Sequence, residues 1–265
     1  MYAILGIDAA WTTAQPSGVA IVVRDQDKWR LRTVAPSYTA FLDETFATDA
    51  VPVKHRGASV EAAALLTRAN ALAGCEIDLV AIDMPLSKDP ITARRISDNL
   101  VSSAYGARHC ATHTPSALRP GRISDDIRLG FARAGYDLLT DEVTTPGLIE
   151  VYPHPALVEL SRAERRLPYK FAKVRKYWPD ETPAVRRIKL MEAWQGIIQR
   201  LDAEIGGVAT AMKMPSSSAK GWELKAFEDM MDAIVCAWIG ITVLEGRAMA
   251  YGDSRSAIWI PGTSP

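Results

Sequence analysis

Five apolar segments separated by polar turns predict the strands of one sheet. Residues 2–8 and 18–23 are almost continuously apolar, as expected for central strands covered on both faces, whereas residues 29–34 alternate like a half-exposed strand. Residues 77–83 and 147–152 repeat the first pattern. The chain is therefore predicted to form a mixed five-stranded sheet.

Helix signals lie between and after these strands. Glu61 in a first turn, Gly74 just past a last turn, and Pro183 at a first helical position are typical helix boundaries. We predict an α/β protein with helices on both faces of the sheet, forming a single domain over residues 1–265 with a helical insertion at about residues 162–220. The predicted helices cover residues 59–72, 92–105, 123–134, 183–204 and 222–245, and two short strands follow at residues 249–251 and 258–260.

The composition is typical of an ordinary globular protein and indicates no particular activity. The 265 residues have a hydrophobic content of 48% and a formal net charge of +0, so no global charge favours nucleic acid or a membrane. Three widely spaced cysteines suggest reduced thiols, and neither a secretory signal nor a transit peptide is indicated. We expect a cytoplasmic protein without a membrane partner, and the oligomeric state stays open, a homodimer included.

Carboxylates mark the ends of the predicted elements. Asp8 and Asp83 each close an apolar strand, and Glu150 lies inside the fifth strand, where an unpaired charge is costly. Asp229 and Asp232 are three residues apart, so they share one face of the last helix. Two plainer interpretations are a turn cap for Asp8 and an acidic first helical turn for the aspartate pair.

The predicted element order is similar to that of the ribonuclease H fold, in which the first and fourth strands are neighbours. Asp8, Asp83 and Asp232 would then converge as metal ligands, with Glu150 or Asp229 as a fourth carboxylate. Such a cluster needs a hard cation, Mg²⁺ or Mn²⁺, to offset the repulsion between its charges. Metal-dependent hydrolysis of a phosphodiester, with Asp8, Asp83, Glu150 and Asp232 as catalytic residues, is the chemistry that we expect.

Basic and aromatic residues alternate between residues 162 and 189, a composition that can bind phosphates and stack bases. A solvated surface insertion would have the same composition. The expected substrate contacts are Arg94, Arg95, Lys170, Lys173 and His154, and the expected partner is nucleic acid or another phosphate ester.

A polar loop contains His109, Cys110 and His113, which are zinc-ligand types, but no fourth ligand follows at the usual spacing. A mobile loop that faces the substrate is therefore the preferred interpretation of this segment.

Several short motifs, in their order along nearly the whole chain, resemble the DUF429 family, whose members are described as ribonuclease H-like nucleases. The resemblance implies that fold and a nuclease activity. The first and last motifs also resemble those of the bacterial Holliday junction resolvase. The motifs are Gly6-Ile7-Asp8, Ala81-Ile82-Asp83-Met84-Pro85, Arg94-Arg95 with Asp98, Glu150-Val151-Tyr152-Pro153-His154-Pro155, Leu167-Pro168-Tyr169-Lys170 and Asp229-Met230-Met231-Asp232-Ala233.

Two other functions stay open. Gly6-Ile7-Asp8 followed by Thr12-Thr13 is similar to the first phosphate loop of sugar kinases and actin-like ATPases, although no second Gly-rich loop follows residues 81–86. A non-catalytic nucleic-acid-binding module is the third interpretation, favoured if Arg94 or Arg95 forms an ion pair with a carboxylate of the cluster.

Overall fold

The computed structural model describes residues 2–46 and 53–262, which form an α/β fold around one mixed sheet. The strands lie in the order β3-β2-β1-β4-β5-β7-β6, with β1, β4, β5 and β7 parallel to one another and β2, β3 and β6 in antiparallel pairs. Their bounds are β1 Tyr2–Asp8, β2 Gly18–Asp25, β3 Lys28–Ala35, β4 Leu79–Ile82, β5 Gly147–Val151, β6 Ala248–Gly252 and β7 Ala257–Pro261.

The five strands predicted from the apolar pattern are confirmed, but the prediction of a five-stranded sheet is wrong. The two short C-terminal strands were expected, and the structure adds both of them to the same sheet. β7 pairs in parallel with β5 through Glu150 and Val151, and every residue of β7 is buried. A pairing between segments about a hundred residues apart leaves no mark in the local pattern of either one.

All five predicted helices are present, with shifts at some ends, and the described residues also form helices at 38–42, 153–161, 174–177 and 208–211 that were not predicted. The segment expected to be helical from residue 92 becomes α-helical only at Ile96, because Arg95 is extended and its backbone N–H donates to Asp98 at the helix N-terminus. The helices are α1 Tyr38–Leu42, α2 Ala62–Ala73, α3 Ile96–Tyr105, α4 Arg122–Arg133, α5 Pro153–Ser161, α6 Val174–Tyr177, α7 Pro183–Glu204, α8 Val208–Ala211 and α9 Gly221–Leu244.

Side chains of the central strands alternate between two hydrophobic clusters, one on each face of the sheet. Ile4 of β1 belongs to the cluster that contains residues of α7 and α9, whereas Leu5 and Ile7 belong to the cluster that contains residues of α2. The expected helix layers on both faces are therefore present. The helices of residues 162–220 contribute to the α9 side, while the division of the chain into domain and insertion stays a prediction.

Helix α9 lies directly on β1 and β2, where two glycines allow close backbone approach. A Cβ at Gly18 would come within 2.6 Å of the backbone carbonyl carbon of Asp229, and one at Gly6 would come within 2.6 Å of the backbone nitrogen of Ala237. These contacts fix the height of α9 above the strands.

None of the helices in the described part of the chain has the length and hydrophobicity that a membrane span requires.

We expect Gly18→Ala to lower the free energy of unfolding by roughly 1–3 kcal/mol, because α9 would have to move away from β2. Gly196→Ala is the matched control, since a Cβ there would meet only the flexible guanidinium of Arg200. Chemical denaturation of both variants provides the measurement. Equal stability of the two variants would show that the close approach at Gly18 does not constrain α9.

Candidate functional site

Asp8 and Asp83 lie side by side at the carboxyl ends of two adjacent parallel strands. Ile7 pairs with Ile82, and the backbone N–H of Asp83 donates to the Ile7 carbonyl oxygen at 2.9 Å. Because Ile7 and Ile82 face the α2 side of the sheet, the next residue on each strand faces α9. The predicted neighbourhood of these two aspartates is confirmed, while their sharing of a cation stays a prediction.

Helix α9 contributes two further carboxylates, Asp229 and Asp232, both buried. The helix begins at Gly221, so both aspartates lie more than one turn from its N-terminus. The helix dipole acts mainly within the first turn, so the interpretation of this pair as an acidic first turn is wrong. Their backbone is held over β2 by the close contact at Gly18.

A cavity of about 480 Å³, which we call the acidic cavity, is lined by Asp8, Asp83 and Asp229. Positively charged and polar residues also line it, namely Lys170, Lys225, Arg119, His113, Thr114 and Gln15, and the rest of its wall is formed by Ala9, Ala10, Trp11 and Pro16. The cavity is thus open to solvent and presents acids and bases together.

Two lysines form ion pairs with the α9 carboxylates. Lys170 donates to Asp232, whose other oxygen accepts a hydrogen bond of 3.0 Å from the Tyr169 hydroxyl. Lys225 donates to Asp229 one helical turn away. Both lysines also lie near buried Glu228, at 3.6 Å from Lys170 and 3.5 Å from Lys225. Both oxygens of Asp232 are therefore occupied by protein donors.

Burial and mutual repulsion raise the pKa values of the acids in the cavity. Burial, followed by the charge of Asp232, raises the pKa of Asp8 to about 6, although the two lysines act in the opposite direction. The pKa values of Asp83 and Asp229 are held well above the usual range, first by burial and then by Asp8. Burial alone would lower the pKa of Lys170, but Asp232 raises it overall, so this lysine stays charged.

Three carboxylates retain unused oxygen atoms that fit a hard cation. Among the described residues, the Asp8 and Asp83 carboxylates accept no hydrogen bond, and the buried Oδ2 atom of Asp229 has no partner. Oxygen ligands of this kind suit Mg²⁺ or Mn²⁺. In the part of the chain described, no group of three His, Cys, Asp or Glu side chains is already arranged to hold a metal ion. Lysine ammonium groups supply positive charge among these acids instead.

Glu150 lies outside the acidic cavity, contrary to its expected place as a cluster carboxylate. Its neighbours Ile149 and Val151 face α9, so the Glu150 side chain faces the opposite side of the sheet. There it accepts hydrogen bonds of 2.5 and 2.7 Å from Arg95 and one of 2.7 Å from the Leu86 backbone N–H. Asp229, and not Glu150, joins Asp8 and Asp83 in the lining of the cavity, whereas Asp232, which was expected as a metal ligand, does not line it and has both oxygens bound by Lys170 and Tyr169.

Arg94 and Arg95 serve internal contacts in place of the expected phosphate contacts. Arg95 is buried and also pairs with Asp98 at 2.9 Å. Arg94 donates to neutral groups, including Asn99 at 2.7 Å and Thr114 at 3.0 Å, and so ties α3 to the loop before α4. Neither guanidinium lines the acidic cavity.

Of the other expected substrate contacts, Lys170 lines the acidic cavity, whereas Lys173 lines a second cavity close to it. The Nε2 atom of His154 accepts a hydrogen bond from Arg166. The Nδ1 atom of His154 lies 3.2 Å from the Tyr169 hydroxyl oxygen. Burial, followed by Lys170 and Arg166, lowers the pKa of His154 well below its usual value. His154 is therefore neutral, with its Nδ1 proton directed at Tyr169.

The three zinc-ligand types of the polar loop are divided between different surroundings. His113 lines the acidic cavity, His109 lines the second cavity, and Cys110 is buried in a hydrophobic cluster with Val101 and Tyr105. The expected contact of this loop with the substrate stays a prediction, and His113 with Thr114 is the part placed to make it.

Sequence reasoning missed Lys225 and Glu228 as members of the site. A helical spacing of three, four and seven residues places 225, 228, 229 and 232 on one face of α9, so this signal was present in the sequence. Tyr169 belongs to the Leu167-Pro168-Tyr169-Lys170 motif but had no predicted role, and Arg119 carried no signal because its position depends on how a distant loop folds.

Comparison with known proteins identifies the family of this chain but no activity. No curated protein and no solved structure matches the chain. One family model does match, over residues 6–256, and its description is "Protein of unknown function (DUF429)". The match includes both strand-end aspartates and the α9 carboxylates, and covers nearly the whole chain. The protein with this acidic cavity therefore belongs to the DUF429 family.

Proposed function

We propose that the protein is a metal-dependent phosphodiesterase of ribonuclease H-like architecture that hydrolyses nucleic acid. One observation carries the proposal. Asp8 and Asp83 end adjacent parallel strands and face Asp229 of α9 across an open cavity whose wall also bears Lys170, Lys225 and Arg119. Carboxylates for a hard cation and cations for a phosphate are thus available at one place.

The strand arrangement supports the architectural part of the proposal. The order β3-β2-β1-β4-β5, with β2 antiparallel and β4 and β5 parallel to β1, agrees with the element order from which the fold was inferred. Strands β7 and β6 extend this core beyond β5. The strand ends that carry Asp8 and Asp83 lie in its centre, where such sheets commonly place their sites.

In this proposal the acidic side chains bind the metal ion and the basic side chains bind the phosphate. Bound Mg²⁺ or Mn²⁺ would supply the Lewis acidity that activates water and stabilises the departing oxygen. Asp8, Asp83 and Asp229 would hold the cation through their unused oxygens. Lys225 and Arg119 reach the same cavity and can bind the phosphate oxygens, while Lys170 offsets the charge of buried Asp232. Tyr169 and His154 keep Asp232 in place behind them.

A non-catalytic nucleic-acid-binding module is the second candidate, and a specific contact favours it. Arg95 forms a buried ion pair with Glu150, one of the carboxylates expected in the cluster. The pair lies on the face of the sheet away from the cavity, so it leaves Asp8, Asp83 and Asp229 unaffected. The phosphodiesterase therefore remains the better supported of the two.

The direct test is cleavage of single-stranded, duplex, hybrid and branched oligonucleotides by the purified protein with Mg²⁺, Mn²⁺ or EDTA, with ATP hydrolysis measured in parallel. We expect strand cleavage that requires the divalent ion and is lost in Asp83→Asn. Exposed Asp137→Asn is the matched control, and its activity should equal that of the parent.

Two results would overturn the proposal. Binding of oligonucleotides without cleavage under any of the metal conditions would favour the non-catalytic module. Metal-dependent ATP hydrolysis without strand cleavage would instead favour a phosphotransferase of the sugar kinase and actin-like class.

A further inference from the structure

A second cavity of about 580 Å³ is lined mainly by residues between α5 and α7, together with His109 of the loop that follows α3. Four basic side chains and two aromatic rings line it, and we call it the basic-aromatic pocket. These residues are Arg165, Arg166, Lys173, Lys176, Tyr177 and Trp178. They come from the stretch whose composition allowed either phosphate binding or a solvated surface, and the structure brings them around one concave space.

In the part of the chain that the structure describes, no acid neutralises the positive charge of this pocket. None of its four basic residues forms an ion pair with an acid in the described part of the chain, whereas Lys170 and Lys225 next door are both paired. Partial burial, followed by the charges of Arg166 and Lys170, lowers the pKa of Lys173. The Nε atom of Arg166 is buried and lacks a hydrogen-bond partner among the described residues. An anion would relieve this repulsion.

The basic-aromatic pocket adjoins the acidic cavity. A short 3-10 helix, Phe171–Lys173, joins them, with Lys170 in one cavity and Lys173 in the other. A 3-10 helix rises about 2 Å per residue, so the two positions are about 6 Å apart along it. Arg166 also reaches Asp232 through a chain of hydrogen bonds that passes through His154 and Tyr169.

We propose that the basic-aromatic pocket binds one nucleotide of a single-stranded nucleic acid whose neighbouring phosphate lies in the acidic cavity. The basic residues bind phosphate oxygens, and Trp178 stacks on the base. This inference rests on the proposed function, since it assigns the substrate class of the same site. It specifies a polynucleotide in place of a small phosphate ester.

The two aromatic rings of the pocket favour single-stranded over double-stranded nucleic acid. Trp178 and Tyr177 are edge to face, with centroids 5.7 Å apart, so only one of them can stack flat on a given base. In a duplex the base faces are covered by their neighbours, and an aromatic wall gains no contact with them. Single strands present free base faces, and such stacking is tolerant of base identity.

The test measures binding without catalysis. Fluorescence anisotropy in EDTA would give the Kd of a labelled oligothymidine, of an abasic strand of equal length and of a duplex, each over a range of salt concentrations. We expect the single strand with bases to bind most tightly. Arg165→Ala and Lys176→Ala should each weaken binding severalfold and reduce the salt slope by about 0.7, the value for one phosphate contact on a single strand.

Two further variants separate pocket contacts from general charge. Arg175→Ala is the matched control for Lys176→Ala, because Arg175 is an exposed cation of the same short helix that does not line the pocket. It should leave the Kd of oligothymidine nearly unchanged. Trp178→Leu should weaken binding of oligothymidine by about fivefold to a hundredfold and leave binding of the abasic strand unchanged.

The inference fails if Lys176→Ala behaves like Arg175→Ala, or if the parent binds duplex as tightly as single strand. It also fails if Trp178→Leu weakens the abasic strand equally. Because no metal is present, binding that follows the expected pattern in a protein that cleaves nothing would reject the phosphodiesterase alone. Cleavage by a protein with an unresponsive pocket would reject the pocket alone.

Discussion

Asp8→Asn is expected to reduce metal-dependent cleavage about a thousandfold and to make the metal-free protein more stable than the parent at neutral pH. The first effect follows because the variant loses an anionic ligand, and several kcal/mol of transition-state stabilisation depend on the bound ion. The second follows because Asp8 is charged, partly buried and, among the described residues, without a hydrogen-bond donor. Activity and stability should thus change in opposite directions.

The gain in stability should depend on pH in a defined direction. Burial and Asp232 raise the pKa of Asp8 to about 6 in the native protein, compared with about 4 in an unfolded chain. The native state then holds its proton more tightly, so this stabilising contribution is complete below about pH 4 and is lost as the pH rises through 6. Asp8→Asn removes this loss, so its advantage over the parent should grow by roughly 1–3 kcal/mol between pH 4 and pH 8.

Urea denaturation of parent and variant in EDTA at several pH values measures this difference. Asp137→Asn, an exposed carboxylate, is the control and should follow the parent at every pH. A variant less stable than the parent at pH 8 would mean that Asp8 is a structural acceptor, as in the turn-cap interpretation. It would then be removed from the list of metal ligands.

Arg95→Met should lower the free energy of unfolding by about 3–5 kcal/mol, the largest stability effect that we expect. Arg95 pairs with both Glu150 and Asp98 in the interior, and its Nη1 atom donates to the Leu86 carbonyl oxygen at 2.6 Å. Its removal leaves two buried carboxylates without their counter-charge. Thermal and chemical denaturation at pH 7 would measure the loss.

Arg94→Met is the matched neighbour, since Arg94 makes several hydrogen bonds but no ion pair with a described acid. This variant should lower the free energy of unfolding by about 1 kcal/mol, as expected for the loss of hydrogen bonds to neutral groups. Adding Glu150→Gln to Arg95→Met should recover part of the lost stability, because one unpaired charge disappears. If the two arginine variants are equally stable, the buried ion pair does not stabilise the protein.

The strands and five of the helices followed from local patterns, and the strand-end aspartates could be placed because parallel strands bring their carboxyl ends to one edge. For Glu150 the same reasoning gave the wrong position. It is close to Asp83 across β4 and β5, yet one residue of offset in a strand turns a side chain to the other face. Its position in an apolar run indicated a buried charge without revealing which partner would neutralise it.

The basic residues show the same limit. Lys170, Arg94 and Arg95 were all expected beside phosphate because their charge alone was visible in the sequence, yet Lys170 pairs with Asp232, and Arg95 pairs with Glu150 and Asp98. Whether an arginine faces a ligand or a buried carboxylate depends on tertiary packing. The extension of the sheet by β7 was equally out of reach, because it depends on a pairing between distant segments.

The contacts of Glu150 have one more consequence, for the spacing of the two strand-end aspartates. Glu150 and Arg95 hold both the N–H and the carbonyl oxygen of Leu86, so the turn that starts at Asp83 is anchored from the far side of the sheet. Asp83 cannot move away from Asp8 without breaking this anchor. Adjustment to different ions or substrates therefore falls to the long side chains of Lys170 and Lys225, and the Leu86 amide should be among the slowest in the protein to exchange its hydrogen.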